Sequence, residues 1–260
     1  MSLEERTVVI DRADTLFRTT TRRDFLRAMG VGGSIVLLPS LFAACNNDDN
    51  GVTPTPNTTY TLNLQDDKGI LNYAYALEQL EAAFYTLALT SPGYTALSSD
   101  EKEVISDLQK HEVIHREFLK AALGVDAIPA INFKADTVAS LQATRAVLLS
   151  TSQLLEDTGV SAYNGAGKYI TTPAYLLLAG KIVSVEARHS AAIRDIRDGS
   201  NGKLFAGDDV VNAQGLDVKA EPSLVGTSVN GLNVIQGSIA IGTPPDATKK
   251  TADAPAPTPV

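Results

Sequence analysis

Two copies of one short pattern restrict this chain more than anything else in its sequence. Glu112-Val113-Ile114-His115 and Glu186-Ala187-Arg188-His189 are both Glu-x-x-His. Residues three apart on a helix project from one side, so each copy offers a carboxylate and an imidazole together. With eleven glutamates and three histidines in 260 residues, chance supplies only about 0.1 such patterns. Apolar positions bracket both copies at helical spacing: Leu108, Phe118, Leu119 and Ala122 around the first, and Ile182, Val185, Ala192, Ile193 and Ile196 around the second. Both pairs therefore face a core. A carboxylate buried there without a partner is costly and demands a proton or a cation.

The flanking sequence reads as four long helices. The first runs from about Asp67 to Thr90 and stops at Ser91-Pro92-Gly93. The second runs from about Ser98, which forms a capping-box pattern with Glu101, to Leu123 before Gly124. A long crossover containing Pro129 leads to the third, from about Asp136 to Ala162, interrupted near Gly165-Ala166-Gly167. The fourth starts at Thr172-Pro173, with proline in a favourable first-turn position, and ends at Asp198-Gly199-Ser200. Segments of this length are ordinary for a bundle, and a hydrophobic content of 44% is ample for its core.

The first and third helices carry the other half of the pattern. Glu78 and Glu81 lie in a largely apolar stretch, and Glu156 follows Leu154-Leu155. Tyr85 stands seven residues after Glu78 and Tyr163 seven after Glu156, about two turns along the same face. Glu78 to Glu112 is 34 residues and Glu156 to Glu186 is 30, so the chain reads as a duplicated pair of helices. Four helices bearing Glu, Glu-x-x-His, Glu and Glu-x-x-His resemble the ferritin-like superfamily of di-iron or di-manganese carboxylate proteins. The phrases Ile70 to Glu78, Glu156 to Tyr163 and Val185 to His189 resemble its exported, desiccation-related group, over about residues 65–200.

That resemblance implies an all-α, ferritin-like four-helix bundle holding two iron or manganese ions, with zinc as a further occupant. Carried over by position, Glu112 and Glu186 bridge the metals, Glu78 and Glu156 are terminal carboxylates, and His115 and His189 are terminal imidazoles. Glu81, three residues from Glu78, is the alternative ligand, and Tyr85 and Tyr163 donate to ligating carboxylates or supply single electrons. The implied function is oxygen or peroxide chemistry in stress protection of the cell envelope. The alternative is metal binding, storage or a structural role without catalysis. A homodimer is compatible with the family, and neither substrate nor electron donor is identified.

Other readings compete for some of these residues. His111-Glu112-Val113-Ile114-His115 is also His-Glu-x-x-His, the zinc-peptidase pattern, with a third ligand from Glu156 or Glu186. It leaves His189 and the duplication unexplained. A bundle whose acids and histidines simply pair for structural reasons is the plainer alternative. Glu103 and Glu117 read as a solvated face, and Arg188 is expected to leave the core and pair with an acid such as Asp195.

Outside the bundle, residues 1–45 read as an address. Thr21-Arg22-Arg23-Asp24-Phe25-Leu26-Arg27 before an uncharged stretch to Ala44 resembles a twin-arginine export signal. Leu41 to Cys45 resembles a bacterial lipobox, making Cys45, the only cysteine, the lipid-bearing residue. An uncleaved anchor and a plain signal peptide are the other readings. Periplasmic or envelope localisation on a membrane follows. Residues 46–64 read as a flexible tether, 201–242 as an irregular or short-β extension around Val210-Val211, Leu224-Val225 and Val234 to Ile241, and 243–260 as a disordered tail. A formal net charge of -8 makes nucleic acid an unsuitable partner.

Overall fold

Side-chain caps start three of the four long helices. In the computed structural model, which describes residues 58–199 and 202–246, Asp66 accepts from the Gly69 amide to open α1 (Asp67–Ala88). After a short turn of helix, α2 (Pro92–Thr95), the reciprocal Ser98–Glu101 capping box opens α3 (Ser99–Leu123). Gly124, at φ 56, closes α3 in a conformation that favours glycine. The crossover holds a one-and-a-half-turn helix, α4 (Ala135–Ser140), before Thr144 caps α5 (Arg145–Ala166). Pro173 opens α6 (Pro173–Arg197).

The third expected helix is therefore two. Residues 141–144 leave the helix because Gly93 of α2 presses on this turn, donating its amide to Gln142 O at 2.9 Å. A Cβ on Gly93 would lie 2.5 Å from that oxygen, so only glycine permits the approach.

α1 packs chiefly on α3, and α5 on α6, giving two helix pairs around one core. Amides on α1 hold the crossover between them. Asn72 Nδ2 donates to Asp126 O and its Oδ1 accepts from Ile128 N, while Gln79 Oε1 accepts from Ile131 N. Each bond satisfies a loop amide or carbonyl that has no ladder to join. None of the described helices is long and apolar enough to cross a membrane.

The C-terminal region is more ordered than the sequence suggests. Leu224-Val225, read as β-favouring, sits in a helix, α7 (Pro222–Gly231), whose Val225 and Val229 bury one turn apart. The short-β part of the extension forms a two-stranded parallel sheet with the segment before the bundle, β1 (Thr58–Leu62) beside β2 (Gly237–Ile241), paired from Thr58–Gly237 to Leu62–Ile241. β1 occupies the end of the segment read as a tether, so that part is structured, and Tyr60 and Leu62 are buried. Residues 46–57 of the tether, the address segment with Cys45, and the tail beyond residue 246 lie outside the described residues.

Candidate metal centre

The Glu-x-x-His pairs do face each other across the core. α1 supplies Glu78 and Glu81, α3 Glu112 and His115, α5 Glu156, and α6 Glu186 and His189. Glu78, Glu112, Glu156 and Glu186 are all 0% exposed. His115 Nδ1 lies 2.9 Å from Glu186 Oε1, 3.3 Å from Glu112 Oε2 and 3.5 Å from Glu78 Oε2. His189 Nδ1 lies 2.8 Å from Glu112 Oε1, 3.4 Å from Glu156 Oε2 and 3.8 Å from Glu186 Oε2. Glu112 and Glu186 thus turn one oxygen to each imidazole, and the two halves are copies of one arrangement.

These contacts lack hydrogen-bond geometry. Glu78 Oε2, both oxygens of Glu112 and of Glu186, Glu156 Oε2, and the Nδ1 atoms of His115 and His189 are buried with no hydrogen-bond partner. The donor atoms fall into two groups that could each hold a metal ion: Glu78, Glu112, His115 and Glu186, and Glu112, Glu156, Glu186 and His189. Within each group the atoms lie within 4.8 Å of one another. Buried polar atoms in native proteins are nearly always paired, so eight unpartnered donors converging on two points are compatible with a metal site.

The remaining oxygens of the outer carboxylates are held by the tyrosines, but not as their spacing suggests. Tyr85 donates to Glu156 Oε1 at 2.6 Å and Tyr163 to Glu78 Oε1 at 2.5 Å, each reaching across to the other helix. Two turns along one helix is about 11 Å, beyond hydrogen-bond reach. The reciprocal pairs run in opposite order along α1 and α5, so the helices are antiparallel and each tyrosine meets the glutamate opposite. Burial raises both phenols, and the neighbouring carboxylates add to it, so both stay protonated donors.

His111 is neither a ligand in either group nor a free surface side chain. Its Nδ1 lies 2.9 Å from His189 Nε2, with the rings stacked at 5.1 Å and 7° apart. It therefore does not converge with His115 on one point, as the zinc-peptidase reading needs. Glu81 is also outside both groups. Its carboxylate shares with Glu186 the space beside Gly159, where an added Cβ would lie 3.2 Å from Glu81 Oε1 and 3.4 Å from Glu186 Oε2. Burial, and then the charges of Glu186 and Glu156, raise Glu81 far above the carboxylate range, so it is a neutral acid.

The sequence reading missed Arg194. Its guanidinium, 2% exposed, pairs with Asp157 at 2.7 Å and Asp209 at 2.6 Å, tying the C-terminal region to the bundle beside Glu156. Ser190 donates to the same Asp157 at 2.6 Å. The signal was available: Ser190 and Arg194 follow Glu186 at four and eight residues, on the same buried face. Arg188, by contrast, bonds Ser184 on its own helix rather than Asp195.

The comparison with known families agrees with this geometry. The profile of the family described as Ferritin-like domain matches residues 66–198, just over half of the chain. The chain belongs to the ferritin-like family. No curated protein matches it. In this ferritin-like bundle the matched segment holds all four long helices and every residue of the two donor groups. β1, β2 and α7 lie outside it.

Proposed function

We propose that Glu78, Glu112, His115, Glu156, Glu186 and His189 hold two divalent metal ions, with Glu112 and Glu186 shared between them. The observation that carries this is the set of eight buried, unpartnered donor atoms, four for each position. Charge supports it as well. Four carboxylates and two neutral imidazoles balance two divalent cations, leaving Glu81 as a neutral acid beside them. Nitrogen and oxygen donors in this mixture suit iron or manganese, and zinc less selectively. Two redox-active ions held side by side would supply electrons for reducing dioxygen or peroxide. The protein's own residues do the positioning: Tyr85 and Tyr163 fix the outer carboxylates, and His111 fixes the His189 ring.

The twin-arginine pattern and Cys45 support an exported protein, anchored by lipid, acting in envelope stress protection. The second reading is metal storage without turnover, which the same donor set serves equally. Metal analysis of the purified protein beside the Glu112→Ala/Glu186→Ala double variant tests the core of the proposal. About two equivalents of metal in the former and none in the latter are expected; equal contents would sink it. Peroxide and dioxygen consumption by the loaded protein then separates catalysis from storage.

A further inference from the structure

The residue after each outer carboxylate grips a segment that lies outside the four long helices. Gln79 follows Glu78, and its Oε1 accepts from Ile131 N of the crossover at 2.7 Å. Asp157 follows Glu156 and reaches the C-terminal region through Arg194. The first grip is a neutral hydrogen bond. The second is an ionic socket around a guanidinium that is 2% exposed.

Every N–H of that guanidinium is engaged. Nε donates to Asp157 Oδ1 at 2.9 Å and Nη2 to Asp157 Oδ2 at 2.7 Å. On the other side Nη1 donates to Asp209 Oδ1 at 3.1 Å and Leu204 O at 3.3 Å, and Nη2 to Asp209 Oδ2 at 2.6 Å. Five donors in a planar fork are thus shared between two carboxylates and a carbonyl. The loop is shaped to present Asp209. Gly207 N donates to Leu204 O, Val210 N and Val211 N both donate to Gly207 O, and a Cβ on Gly207 would lie 2.7 Å from Asp209 Oδ1. Ser190, next to His189, donates to Asp157 Oδ1 at 2.6 Å. Three bonds from α6 therefore hold the neighbour of Glu156, clamping α5 to α6 at the level of one donor pair. In the other helix pair Arg116, next to His115, bonds Glu117 on its own helix instead.

We propose that Asp209 is a positioning residue for the metal position formed with Glu156 and His189, so that docking of the 204–209 loop and metal binding there strengthen each other. The proposal rests on the two-metal reading above and adds to it a contribution from outside the matched residues 66–198. Without Asp209, two guanidinium N–H groups lose their acceptors in a buried place, which is costly. Arg194 then turns towards solvent and draws on Asp157, loosening the helix spacing that sets Glu156 against His189. Coupling between two sites is reciprocal, so metal in this position must also hold the loop down.

Manganese titration of the full chain by calorimetry, resolving two binding constants, reads the first direction. Asp209→Ala is expected to weaken one constant about fivefold or more, the same one that Tyr85→Phe weakens, and to leave the other unmoved. Asp209→Asn, which keeps one acceptor oxygen, is expected to fall between. Asp208→Asn makes the same charge change on a neighbouring exposed residue that is not a partner of Arg194, and both constants should stay as they are. Trypsin cleavage after the exposed Lys203, followed by mass, reads the reverse direction. Manganese is expected to slow it at least about fivefold in the native protein, and to lose most of that protection in Asp209→Ala. The Asp209 side chain is 64% exposed, so its removal leaves no cavity in the core, and Asp209→Asn carries the same test if the alanine variant folds poorly. Two constants that fall together, or that both ignore Asp209→Ala and Asp209→Asn, would overturn the proposal, as would equal protection of Lys203 in native and variant protein. A native protein that takes up no manganese defeats the two-metal reading and this proposal with it. Two bound ions with unmoved constants defeat the role of Asp209 alone.

Discussion

At the scale of single residues, the two halves of the centre are copies in their donors and unequal in their supports. Each outer carboxylate has one tyrosine: Tyr163 for Glu78 and Tyr85 for Glu156. Only His189 has an imidazole behind it, because the residue that corresponds to His111 in the second pair is Val185, one place before Glu186. A hydrogen bond from His189 Nε2–H to His111 Nδ1 leaves His189 Nδ1 bare towards the donor cluster, which is the tautomer a ligand needs. His111→Ala is therefore expected to weaken one of the two metals roughly ten- to a hundredfold and spare the other. Tyr85→Phe should weaken the same one, and Tyr163→Phe the other. Manganese titration by calorimetry, resolving two binding constants, checks the assignment. If His111→Ala shifts both constants together, the ring is a general packing element rather than the support of one half.

At the scale of elements, the helices were legible in proportion to how local their determinants are. The Ser98–Glu101 capping box, Gly124 and Pro173 mark the ends of α3 and the start of α6 within a few residues of sequence, and the structure places those ends within one residue of the expectation. The break between α4 and α5 was not legible, because it depends on Gly93, some fifty residues away, pressing on Gln142. The crossed tyrosines were hidden for the same reason, since spacing along one helix says nothing about which helix stands opposite. The β1–β2 pair joins residues 179 apart, and α7 is helical although rich in β-favouring and small residues, its valines packing on the core and Gly226 on Ile241. The face of the donors and the two supporting tyrosines were readable; which glutamate each tyrosine meets was not.

Gly159 offers a test at this scale. In an isolated helix, alanine is more favourable than glycine by about 1 kcal/mol, so Gly159→Ala should leave α5 intact. The added Cβ, at 3.2 Å from Glu81, would push that carboxyl by a few tenths of an ångström, with Glu186 in van der Waals contact at 3.4 Å. Helix content by circular dichroism is expected to be unchanged while metal affinity falls at least about tenfold. Unaltered affinity would show that Glu81 and Glu186 have room to spare, and that the glycine serves helix packing only.

At the scale of the whole molecule, the centre makes stability depend on pH in opposite senses with and without metal. In the metal-free protein, burial raises the Glu156 carboxyl, and His189 limits the rise to about 7. Burial lowers His189, but the carboxylates of Glu112, Glu156 and Glu186 around it outweigh that and push it up to about 12. Burial also raises Glu186, yet the two imidazoles more than offset it and hold this carboxyl at about 2. A raised carboxyl stabilises the fold below its unfolded value of 4.5 and loses that contribution as pH climbs to 7. The raised imidazole does the same from 6.5 towards 12. The depressed Glu186 acts in reverse, but only between 4.5 and 2. From about pH 5 to 8, then, Glu156 and His189 act one way against the single imidazole of His111, which burial lowers, and the metal-free protein loses stability as pH rises. Metal binding requires the same groups to give up their protons, so the loaded protein gains stability over that interval. Thermal unfolding of the two forms across this range is expected to give Tm curves of opposite slope, several degrees apart at about pH 8. Parallel curves would mean that the buried glutamates and histidines exchange no protons for metal, and that they are paired for structure alone.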